Sequence, residues 1–119
     1  MKKIRVSPIT TDASGNASML QSTGSVLGLL YAVQLVDGTF DDGVDVTITA
    51  EQGELSIPLF AMSNFNVDLM KFPRVSENSA TDGTDLTSAC MPLVAGNIKV
   101  VIAQGGNVKT GAVILYIID

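Results

Sequence analysis

The chain has 119 residues, a net charge of −5, and only 16% charged against 46% hydrophobic residues. That length sets a single domain (1–119) around one two-layer core. Without a basic cluster, nucleic-acid binding is disfavoured; without histidine, a Ser-His-Asp triad and a Cys-His pair are impossible; one cysteine, Cys90, leaves no intrachain disulfide and no cysteine zinc cluster.

In chain order, residues 2–7 predict a short strand, with Ile4 and Val6 on one face and Lys3 and Arg5 on the other. Residues 9–25 are small and polar, with turn material at 12–16 and a further short strand at 17–20. An ordinary loop fits this composition; an N-terminal arm over 1–25 that lies on a neighbouring subunit is the alternative. Residues 26–36 predict a strongly apolar strand; a helix over 26–34 is the alternative on propensity, against which stand Gly24, Gly28 and the turn at Asp37-Gly38. Strict alternation puts Leu27, Leu29, Tyr31, Val33 and Leu35 on one face, and Val26, Leu30, Ala32 and Val36 on the other.

After turn material at 37–43, residues 44–50 alternate cleanly, with Val44, Val46, Ile48 and Ala50 inward. The return strand, 54–62, points Leu55, Ile57 and Leu59 at the core; Pro58 has no ladder donor, so this strand is expected at an edge or with a bulge. Residues 65–72 predict another strand, with Phe65, Val67 and Leu69 inward, and residues 76–88 a long polar surface loop. Cys90, between Ala89 and Met91, is expected to be a buried, inert thiol. A short strand at 91–94 precedes a closing β-hairpin with arms 97–103 and 112–118, joined through Gly105, Gly106 and Asn107. The second arm is apolar on both faces, which predicts a central strand or a face covered by another protein.

The fold class is therefore all-β: an antiparallel sandwich or small barrel of seven to nine short strands. No apolar run reaches the roughly 18 residues of a membrane-spanning helix, and no apolar stretch follows the N-terminal charges as in a secretory signal. The mean hydropathy of +0.37 leaves few charges to cover the surface. Part of that surface is expected to be apolar and covered by a partner; a filled core under a Ser/Thr/Asn coat is the alternative.

Two acidic clusters are candidates for calcium: Asp37, Asp41, Asp42 and Asp45, and Asp82 with Asp85. Neither has the ligand spacing of an EF-hand loop, and solvated turns explain both. Gly105-Gly106-Asn107 reads as a turn, not a phosphate loop. No catalytic, cofactor or metal residue is assigned, no cofactor is expected, and an enzyme is disfavoured.

Five stretches resemble a group of small tailed-phage virion proteins encoded near the capsid genes. They are 2–8 (KKIRVSP), 10–16 (TTDASGN), 29–32 (LLYA), 97–103 (NIKVVIA) and 105–111 (GGNVKTG). The resemblance implies a β-rich capsid decoration (cement) protein on the virion surface, made in the host cytoplasm. Its implied partners are the major capsid protein, whose lattice it would bind and stabilise, and copies of itself, a trimer being plausible; it implies no membrane and no catalytic residue. Other virion parts (a head fibre, tail tube or baseplate) and a glycan- or receptor-binding sandwich are the alternatives.

Overall fold

A computed structural model describes residues 1–20 and 24–119. Among the described residues there are ten strands and no helix: β1 (Lys2–Thr10), β2 (Ala17–Leu20), β3 (Val26–Val36), β4 (Val44–Gln52), β5 (Leu55–Phe65), β6 (Leu69–Lys71), β7 (Val75–Asn78), β8 (Asp85–Cys90), β9 (Leu93–Ala103) and β10 (Thr110–Ile118). Every pairing is antiparallel. The architecture is sandwich-like, with free edges at β1 and β5, and is not a closed barrel.

The first layer runs β1-β10-β3, with β6 and the start of β9 along the other edge of β3. In the second layer β2 and β4 both pair with the later part of β9, and β5 lies outside β4. Strand β9 belongs to both layers. Its residues from Leu93 to Gly96 pair with β3, and those from Asn97 to Ala103 pair with β4. The change of layer falls at Gly96, whose φ is 120°. A Cβ there would overlap the Glu51 carbonyl, so the strand can turn the corner only at a glycine.

Each layer presents one apolar side to the other, following the period of two along a strand. Val113, Leu115 and Ile117 of β10 and Val33 and Leu35 of β3 share one core with Val44, Val46 and Ile48 of β4 and Ile98, Val100 and Ile102 of β9. Phe40 and Phe65 join this core as an edge-to-face pair, centroids 6.4 Å apart. The predicted inward set of β4 is buried throughout, as are Ile4 and Val6 of β1. β10 is a central strand, flanked by β1 and β3. Pro58 meets both expectations: β5 is an edge strand, and its ladder with β4 is irregular between the Ile48–Phe60 and Thr49–Pro58 pairs.

Four sequence expectations are corrected. The closing hairpin does not form: β10 lies in the first layer, residues 97–103 of β9 lie in the second, and the two strands do not pair with each other. The inner faces of both strands are apolar, and both are buried by meeting across the core. Their connection is an arch held by the residues after β1. The buried Thr11 hydroxyl donates to the Gly106 carbonyl at 2.6 Å and accepts from the Lys109 amide at 2.8 Å; the Gly105 amide donates to the Gly15 carbonyl at 2.9 Å.

Second, the alternation of β3 breaks at Tyr31. Tyr116 pairs with Ala32 but Ile117 pairs with Leu30, so Tyr31 is an extra, bulged residue. Val33 and Leu35 point inward, whereas Leu27 and Leu29 are exposed. Third, the strand expected over 65–72 is divided. Phe65 ends β5, Val67 is 64% exposed, and only Leu69–Lys71 pairs with β3; Asn64, the penultimate residue of β5, has a φ of 57°, off the extended region just before the strand ends. Fourth, the polar loop 76–88 contains most of a hairpin, β7 and β8. Of residues 91–94 only Leu93 and Val94 are strand, and they open β9; the strand count is ten among the described residues.

Of the stretch 1–25, β1 pairs with β10 and β2 with β9, and residues 21–23 lie outside the described residues.

Candidate functional site

The arm formed by β7 and β8 is built differently from the body. Among the described residues its strands pair only with each other, and all ten strand residues are exposed. The radius of gyration, 14.8 Å, exceeds the roughly 13.5 Å of a compact domain of this length, as an outlying hairpin requires.

Side chains close the tip. Thr84 donates to the Asp82 carboxylate from its amide at 3.1 Å and from its hydroxyl at 2.8 Å, and Asn78 donates to Asp85 at 2.7 Å. The Thr84 amide, then the Thr84 and Ser79 hydroxyls, hold the Asp82 carboxyl below its ordinary pKa. The pair Asp82 and Asp85 thus serves the turn, as solvated turn residues do.

The base of the arm is tied to the bulge in β3. Arg74 donates from Nη1 to the Pro73 carbonyl at 2.6 Å and to the Tyr31 carbonyl at 3.1 Å. Its guanidinium lies 5.8 Å from the Tyr31 ring, and Phe72 meets the same ring edge-on at 5.6 Å. The extra residue in β3 supplies the aromatic on which the arm is seated.

Beside that base lies an apolar row across three strands. Leu29 of β3 pairs directly with Leu93 of β9 on one side and with Ile118 of β10 on the other. All three are exposed, Leu93 to 52%, and Leu27 beside them reaches 71%. Between this row and the arm runs a groove of about 800 Å³, lined by Leu29, Tyr31, Val75, Cys90, Leu93 and Ile118 among others. Cys90 is exposed rather than buried, a further correction. Its apolar neighbours mark the groove, not the core.

The other acidic cluster is gathered only in part, Asp37 with Asp42, and its other contacts go elsewhere. Asp45 accepts from the Asn64 amide at 3.0 Å, while the Asp37 amide donates to Asp68 at 2.8 Å. Burial, then the carboxylates of Asp42 and Asp68, raise the pKa of Asp37. Among the described residues no group of three His, Cys, Asp or Glu side chains is arranged to hold a metal ion, and no helix is long and apolar enough to cross a membrane.

No family model, curated protein or solved structure matches the chain. The surface itself is the remaining guide. It offers broad apolar contact, the Arg74 guanidinium, the Glu77 carboxylate and one thiol, in a groove beside an arm with open backbone edges. Such a surface suits association with another macromolecule.

Sequence reasoning missed Leu93, Ile118, Phe72 and Arg74 as parts of one surface. The apolar chain around Pro73 and Pro92 hinted at Phe72 and Leu93, and the doubly apolar arm 112–118 at Ile118; the position of Arg74 has no local signal.

Proposed function

We propose that this protein is a structural component of a phage particle, of the capsid decoration type, which binds the major capsid protein lattice and stabilises the head. The observation that carries the proposal is the exposed row Leu93–Leu29–Ile118 beside an arm whose strand residues are all exposed. A monomer gains nothing from holding such a row in water, whereas an assembly buries it at roughly 25 cal/mol per Å². The resemblance of 2–8, 97–103 and 105–111 to tailed-phage virion proteins supplies the kind of assembly. Pressure from packaged DNA loads the joints between capsid subunits, and a β module seated across a joint opposes their separation.

The test is binding of the purified protein to empty expanded capsids. Saturation at a copy number matching the lattice sites is the expected result. Binding only to tail or fibre particles, or only to host glycans, overturns the decoration reading in favour of another virion part or a receptor-binding module.

A further inference from the structure

We infer that the apolar row and groove are occupied by a second copy of this chain, whose β7–β8 arm lies across the face. The inference rests on reading this face as an assembly surface, and does not require that a capsid be the assembly.

Three observations select a second copy. The first is the arm. A two-stranded hairpin alone in water is marginal at best, yet this one carries tip hydrogen bonds while, beyond its base, its strand residues are all exposed among the described residues. It needs another surface against which to lie.

The second is area. Taking about 200 Å² for each fully exposed large side chain, Leu27, Leu29, Tyr31, Phe72, Leu93 and Ile118 together expose roughly 600 Å². With Val75 and Leu86 of the arm added, the apolar surface approaches the ~800 Å² per partner of a stable interface.

The third is charge. Residues 75–90 include Glu77, Asp82 and Asp85 and no Lys or Arg. In the same layer as the row, β1 carries exposed Lys3 and Arg5. Among the described residues only Lys2 and Lys99 form ion pairs, with Asp119 and Glu51. An acidic arm from one copy meets this basic flank on the next. Each copy presents both halves of the contact, so a single kind of chain can satisfy it. The open backbone edges of β7 and β8 add hydrogen-bonding capacity along the arm.

The experiment is sedimentation velocity on the full chain from about 1 µM to about 500 µM, with labelling of Cys90 by a maleimide as a second readout. Self-association is expected, with labelling at least about fivefold slower in the associated state, because Cys90 lines the groove. Leu93→Glu, at an exposed site, weakens association at least about tenfold with an unchanged far-ultraviolet circular dichroism spectrum. Lys3→Glu with Arg5→Glu weakens it, as does Glu77→Lys with Asp85→Lys; combining all four restores it.

A chain that stays monomeric throughout, an association indifferent to Leu93→Glu, failure of the four-fold exchange to recover binding, or unchanged labelling of Cys90 each overturns the inference. The two proposals fail separately. A self-associating chain that ignores capsids defeats the decoration reading alone, and a monomer that saturates capsids defeats the second-copy inference alone.

Discussion

Strand β9 and the arm of β7 and β8 lie only two residues apart in the chain, and both are antiparallel β structure. In β9 every second residue from Val94 to Ile102 is buried, and both edges of its later part are paired. In the arm no residue is buried and the outer edges are open. Strand geometry is common to the two; a second layer is not. The contrast shows that backbone pairing sets the shape of this protein while facing apolar layers set its stability, since the net contribution of a hydrogen bond exchanged with water is only about 1 kcal/mol.

The severest way to break the contrast is at the corner of β9. Gly96→Val places a branched side chain at a φ of 120°, against the Glu51 carbonyl. The expected loss is about 3 kcal/mol or more, or no folded protein at all, read by urea unfolding. Next comes a matched pair of truncations. Phe65→Ala, in the core, should cost about 3–5 kcal/mol. Leu86→Ala, on the arm, should change the unfolding free energy of the monomer by less than about 0.5 kcal/mol. Equal costs would mean that the arm is packed after all.

Hydrogen exchange sharpens the contrast without mutation. Amides of β9 and β10 should exchange only through global opening, and those of β7 and β8 through local opening, orders of magnitude faster at low protein concentration. Slowing of arm exchange with rising concentration would report the second copy.

The smallest effect is in pH, where the two regions carry opposite signs. The Asp82 carboxyl has its pKa lowered in the folded chain, so its support of the arm tip is complete above the ordinary value of 3.8. That support is lost as pH falls through the lower folded value. For Asp37 the folded pKa is raised, so ionisation costs stability above that raised value, and the cost disappears as pH falls below 3.8. Asp37→Asn should therefore stabilise the body at neutral pH and lose its advantage in acid, as followed by thermal melts across pH. The Asp82→Asn variant should speed exchange in the arm at neutral pH and leave the body unchanged.

The sequence made parts of this legible. Strict alternation from Val44 to Ala50 fixed both the strand and its buried face, and the missing donor of Pro58 placed its strand at an edge. Other parts had no local marker. Around Tyr31 the residues on both sides of the bulge are apolar, so nothing records the change of phase that exposes Leu27 and Leu29. Gly105-Gly106-Asn107 suits an arch as well as a tight turn, and the deciding bonds come from Thr11 and Gly15, some ninety residues away in the chain. The arm is wet on both faces, so it carries no alternation of apolar and polar residues to distinguish it from a loop. The candidate surface depends on these three features together.

The corner at Gly96 has a mechanical consequence. Because one continuous strand is stitched into both layers, tension directed along β9 falls on the ladders with β3 and β4 in shear, many rungs at once. The hydrogen bonds of an antiparallel ladder run across the strands, so such a pull cannot open them singly, as peeling does. A load entering at Cys90 reaches Leu93 after two residues, and the molecule answers it with its most heavily braced strand.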